Sequence, residues 1–78
     1  MKDYAIIETV RGEPTIIQVD GKWYYSPRKA QEVLRVPESE FWNWVTQSRL
    51  TGIRDPISRR NYYPKDSIDH AVERQTKK

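Results

Sequence analysis

Residues 26–49 read SPRKAQEVLRVPESEFWNWVTQSR, and the fold turns on them. Ser26 is a good N-cap, and Pro27 suits the first helical position, where its missing N–H removes no bond. Ala30, Val33 and Leu34 recur at helical spacing, which predicts a short helix ending near Arg35 with these residues toward a core. Val36-Pro37 interrupts it, because the residue before a proline is pushed out of the helical region. A second helix is expected over about Glu38 to Arg49, capped by Ser39 or opened by Pro37 itself. Phe41, Trp44 and Val45 form its apolar stripe at three- and four-residue spacing. Trp42, Asn43, Thr46 and Gln47 fall elsewhere on its circumference, and Gly52 is expected to end the helical stretch. Two short helices joined by a tight turn make a helix-turn-helix, in which the first helix braces the second.

The flanks read as strands. Tyr4-Ala5-Ile6-Ile7 and Thr15-Ile16-Ile17-Gln18-Val19 are rich in strand formers, with Arg11-Gly12-Glu13-Pro14 between them as a turn. Asp20-Gly21, ahead of Lys22-Trp23-Tyr24, is a two-residue hairpin signal. Ile53 to Tyr63 reads as two short strands around Asp55-Pro56-Ile57-Ser58. A last helix is expected from Pro64, capped by Asp66 or Ser67, with Ile68, Ala71 and Val72 inward. The expected fold class is α+β: a winged helix-turn-helix core at 25–73 with an N-terminal β-hairpin or three-stranded meander. Residues 1–24 form that β-rich extension packed on the core, and 74–78 a frayed basic tail.

Composition narrows the function. A chain of 78 residues, 36% hydrophobic, supports one modest core and no large catalytic cavity. It has no cysteine and one histidine, so disulfides, thiolate zinc sites and multi-histidine metal sites are excluded. His70 lies beside Asp69 with Asp66 four residues before it, but no serine or cysteine nucleophile stands in an obvious partner position. The Glu38/Glu40 and Asp66/Asp69 pairs suit the first turns of helices, where the macrodipole favours carboxylates. The expectation is a protein that is no enzyme and uses no cofactor or small-molecule substrate. Apolar runs are too short to span a membrane and no signal-peptide pattern opens the chain, so a cytoplasmic protein is expected.

The net charge of +3 says little, but its placement says more. Residues 1–26 hold three basic and four acidic residues, whereas 49–65 hold five basic residues and the single acid Asp55. Positive charge gathered in one segment is the footprint that a phosphate backbone requires. Asn43 and Gln47, four residues apart, are amides able to pair with adenine edges, and Thr46 and Arg49 broaden their surface. Arg54, Arg59 and Arg60 flank the expected hairpin tip, where they would meet phosphates or a narrow minor groove.

These features together resemble a known family. Tyr25 to Pro37 matches its opening helix, Glu40-Phe41-Trp42-Asn43-Trp44-Val45 its second helix, and Arg49-Leu50-Thr51-Gly52-Ile53 the start of its wing. Arg59 to Ile68 matches its closing basic residues, aromatic strand and acid-capped helix. Residues 25–72 thus resemble the winged-helix domains of the excisionase and MerR-like superfamily. Two departures stand out: Arg35 and Ser48 occupy positions where the family usually has glycine. The resemblance implies double-stranded DNA as partner, with Asn43, Thr46 and Gln47 on bases. Arg28, Lys29 and Arg49 would then meet phosphates, and Arg54, Arg59 and Arg60 would lie in the wing. It implies a recombination directionality factor or small transcriptional regulator, working beside a recombinase or further copies of itself. Two alternatives stay open. The N-terminal strands, or Trp23 and Trp42, would suit a protein-interaction or adaptor module. Trp23, Trp42 and Trp44 would also suit stacking on single strands or RNA.

Overall fold

The computed structural model describes residues 3–55 and 59–76. Along the chain run β1 (Tyr4–Val10), β2 (Glu13–Val19), β3 (Lys22–Tyr25), α1 (Pro27–Leu34), α2 (Glu38–Ser48), β4 (Ile53–Arg54), β5 (Asn61–Pro64) and α3 (Lys65–Thr76). The fold class is α+β. All five strands join one antiparallel sheet in the order β1-β2-β3-β5-β4.

That single sheet has more strands than the expected hairpin or three-stranded meander, because it takes in the β4–β5 hairpin as well. Tyr24 pairs with Pro64 and Tyr25 with Tyr63, so β3 and β5 splice the two units edge to edge. Pooling the strands covers an edge that each would otherwise expose. The first turn is shorter than the sequence suggested, and the second is the two-residue turn expected. Arg11 and Gly12 alone turn the chain, with φ of 53° and 80°, as do Asp20 and Gly21 with 52° and 81°. Positive φ at both central residues gives the twist that antiparallel strands need. Glu13 and Pro14 therefore belong to β2 and not to the turn.

The helices cover one face of the sheet. Ile16, Tyr25, Ala30, Leu34, Phe41, Tyr63 and Ile68 form the buried core there. Val33, Trp44, Val45, Ala71 and Val72 pack around it half-buried, as the helical periodicity predicts, and Val36 of the connection joins them. The Tyr25 hydroxyl donates to Asp69 Oδ1 at 3.0 Å, tying β3 to α3. Strand alternation sends Ile17 and Tyr62 to the opposite face, where they too are buried. The Tyr62 hydroxyl donates to the Pro14 carbonyl at 2.8 Å. On this side Tyr4 of β1 and Ile53–Arg54 of β4 line one cavity of about 360 Å³, together with Tyr24 and Lys22. Strands from opposite edges reach the same cavity, so the sheet is strongly coiled.

Ser26 caps α1 as expected, its Oγ accepting from the Lys29 N–H at 3.1 Å. α2 starts at Glu38 as expected, but neither reading of its cap holds: Pro37 is the N-cap in extended conformation, and Ser39 sits inside the first turn. Likewise α3 begins at Lys65, directly after Pro64 closes β5, and Asp66 and Ser67 lie within it. Gly52 does not end α2; Arg49 does, in the left-handed region. What holds Gly52 is contact, since a Cβ there would lie 2.6 Å from the Tyr62 carbonyl oxygen.

Asp55, the first residue of the expected turn, is 1% exposed. Its N–H donates to the Arg60 carbonyl and its carbonyl accepts from the Arg59 N–H, both at 2.8 Å. These bonds close the β4–β5 loop at its base and turn the Asp55 side chain inward. The rest of the expected turn, Pro56-Ile57-Ser58, lies outside the described residues. Among the described residues no helix is long and apolar enough to cross a membrane.

Candidate nucleic-acid interface

The helix pair is built by two matching caps. At the end of α1 the Arg35 N–H bonds to the Glu32 carbonyl and the Val36 N–H to Gln31. At the end of α2 the Arg49 N–H bonds to Thr46 and the Leu50 N–H to Val45. Both are Schellman closures, with an apolar residue next in the chain tucked against the core. Arg35 and Arg49 occupy the left-handed position that glycine usually takes. The residue that matters after α2 is therefore Arg49, and not Ser48.

Only Arg35-Val36-Pro37 separates α1 from α2. With Phe41 buried and Trp44 and Val45 turned to the core, helical geometry sends Asn43 and Thr46 directly outward and Gln47 to one flank. All three are exposed. The Thr46 hydroxyl already donates to the Trp42 carbonyl at 3.0 Å, which leaves it free only as an acceptor. Trp42 is 39% exposed on the other flank, its ring edge-on to Phe41 and Tyr63. Glu38 and Glu40 put two carboxylates in the first turn of α2. They favour the helix but repel phosphate, so an anion near the start of α2 has to be met by cations from neighbouring elements.

The basic residues divide into groups. Arg28 of α1 and Arg60, just before β5, share a cleft of about 370 Å³ with Ser26, Gln31, Glu38 and Tyr62. Arg54 lies elsewhere, along the cavity on the opposite face beside Tyr4 and Lys22. The three arginines expected at one hairpin tip are thus not one cluster. Arg59 is exposed, with a left-handed backbone at φ 60°. Arg49 is exposed at the C-terminal end of α2.

Two acids that sequence reasoning did not assign meet these bases. Glu13 of β2 pairs through Oε1 with Arg60 Nη1, and through Oε2 with Arg28 Nη1 at 4.0 Å. Glu8 of β1 lies 3.2 Å from Lys29 Nζ and accepts from the Thr15 hydroxyl at 2.7 Å. The Thr15 hydroxyl, then Lys29, hold the Glu8 carboxyl below its ordinary range. The available signal was the acidic balance of residues 1–26 set against the basic balance of 49–65.

His70 is on the exposed side of α3, with Nδ1 4.0 Å from Glu73. Among the described residues no group of three or more histidine, aspartate or glutamate side chains is placed to hold a metal ion. No protein-family model, curated protein or solved structure matches this chain.

Proposed function

We propose that this protein binds double-stranded DNA as a winged helix-turn-helix module, with α2 reading base edges and the β4–β5 hairpin as the wing. One observation carries the reading: a braced helix pair leaves Asn43, Thr46 and Gln47 outward while Arg28 and Arg60 converge beside the first residue of its second helix. A reading helix flanked by cations on neighbouring elements is the arrangement that fixes register on a duplex. The function is that of an excisionase-like directionality factor or small transcriptional regulator in the cytoplasm. It catalyses nothing itself and works with a recombinase or with further copies on DNA. Fluorescence anisotropy with duplex and single-stranded probes at matched ionic strength tests this. The duplex is expected to bind more tightly, and equal or tighter binding of the single strand overturns the reading.

A second reading has its own support. β1 is an edge strand, and Ile6, Ile7 and Val10 on it are exposed. An apolar edge is what strand addition by a protein partner requires. This reading would be favoured by duplex binding that ignores sequence and vanishes at moderate salt.

A further inference from the structure

We infer that Arg28 and Arg60 form a single anion site for one DNA backbone phosphate, and that Glu13 holds this site in the free protein as an internal substitute for the phosphate. The inference rests on the duplex-binding reading and deepens it.

The geometry is specific. Glu13 meets two guanidinium groups at once, one on each carboxylate oxygen. Arg28 comes from the first turn of α1 and Arg60 from the end of the β4–β5 loop, so elements far apart in the chain converge on one carboxylate. Two guanidinium groups that converge on the two oxygens of a carboxylate can donate to two non-bridging oxygens of a phosphate, because arginine pairs with either anion. The site lies in an open cleft bordered by Ser26, Gln31 and Glu38, beside the start of the proposed reading helix.

Exchange is easy because the pair is exposed. The side chains of Arg28 and Arg60 are 75% and 62% exposed, and that of Glu13 is 42% exposed. Solvent and salt weaken such pairs, so each shifts an equilibrium by no more than about fivefold. A duplex, which presents many phosphates together, can therefore displace Glu13. A stray anion at low concentration gains little. Glu13 thus sets a threshold: it leaves binding to an extended polyanion in place and lowers affinity for isolated anions and short strands.

The test compares duplex binding by the wild type, Glu13→Gln, Asp20→Asn, Arg28→Ala/Arg60→Ala, and Glu13→Gln on that double-alanine background. Asp20→Asn removes the same charge from an exposed hairpin turn and controls for net charge. Thermal melting checks that each variant is folded. Glu13→Gln is expected to tighten binding about three- to tenfold at low salt, the gain narrowing as salt rises. Asp20→Asn is expected to gain less than half as much. On the double-alanine background the Glu13→Gln gain is expected to vanish. Unchanged affinity of Glu13→Gln, or a gain that persists without the arginines, overturns the inference while leaving the duplex reading standing. A wild type without duplex preference overturns that reading itself.

Discussion

Arg35 and Arg49 carry the backbone through left-handed turns, with φ of 59° and 53°, where a side chain meets its own carbonyl. Such a residue costs about 1–2 kcal/mol relative to a relaxed backbone, and glycine escapes the clash but gains freedom in the unfolded chain. Arg35→Gly is therefore expected to raise stability by up to about 1 kcal/mol, a few degrees in Tm for a chain of this size. Gly52 presents the opposite case. Its φ is unremarkable, but the Tyr62 carbonyl and the Tyr63 ring fill the place of a side chain. Gly52→Ala is expected to lower stability by about 1–3 kcal/mol through overpacking. Chemical denaturation of both variants checks the pair, and a stable Gly52→Ala would show that this contact does not constrain the chain. Arg35 was visible in the sequence as a departure from glycine, because a cap is local. The constraint on Gly52 was not, since the atoms it would strike belong to a strand about ten residues away in the chain.

At the scale of the element, the proposed reading gives α2 and the β4–β5 hairpin different kinds of contact with a duplex. Asn43 and Gln47 would read bases, and losing one bidentate contact costs about 1–3 kcal/mol of selectivity between cognate and unrelated duplexes. Thr46→Val is expected to cost less, because its hydroxyl is already committed to Trp42. Arg59→Ala is expected to weaken all duplexes alike and to reduce the log–log salt slope by about one unit. Titrations of these variants over a salt series distinguish the roles. Loss of salt slope in the amide variants, with the slope kept in Arg59→Ala, would invert them. The amphipathic stripe of α2 was legible because helical periodicity is written into successive residues. The division of the arginines between two faces was not, because it depends on how β4 and β5 dock on the coiled sheet.

For the whole molecule, the coiling of the sheet has a titratable signature. The Tyr4 hydroxyl is shut off from water without a hydrogen bond of good geometry, and the Asp55 carboxyl lies nearby. Burial first, then Asp55, push its pKa up to about 12 from an ordinary 10.0. Burial also raises Tyr25, with Asp69 adding to the effect, and Tyr63. The folded state thus holds these phenolic protons more tightly than the unfolded chain. Stability that is fully present below pH 10 is lost as the pH rises through about 12. Tyr4→Phe is expected to be neutral or stabilising near pH 7, since it removes a shielded hydroxyl, and to flatten the alkaline decline. Denaturation midpoints from pH 8 to 12 check this. Equal decline in both proteins would remove Tyr4 from the account.

The sequence by itself determined the helices, the Ser26 cap of α1 and the Asp20-Gly21 turn. Each depends on residues within a few positions of one another: Ser26 with the Lys29 N–H, Pro37 after Val36, Phe41 with Val45. Only the tertiary structure decided that β3 pairs with β5, that Asp55 is buried beside Tyr4, and that Glu13 meets Arg28 and Arg60. The reason is physical. A strand edge will pair with any strand of suitable twist, and a carboxylate attracts any nearby cation. Local pattern therefore does not specify which distant partner is chosen, and the coiling of one shared sheet does.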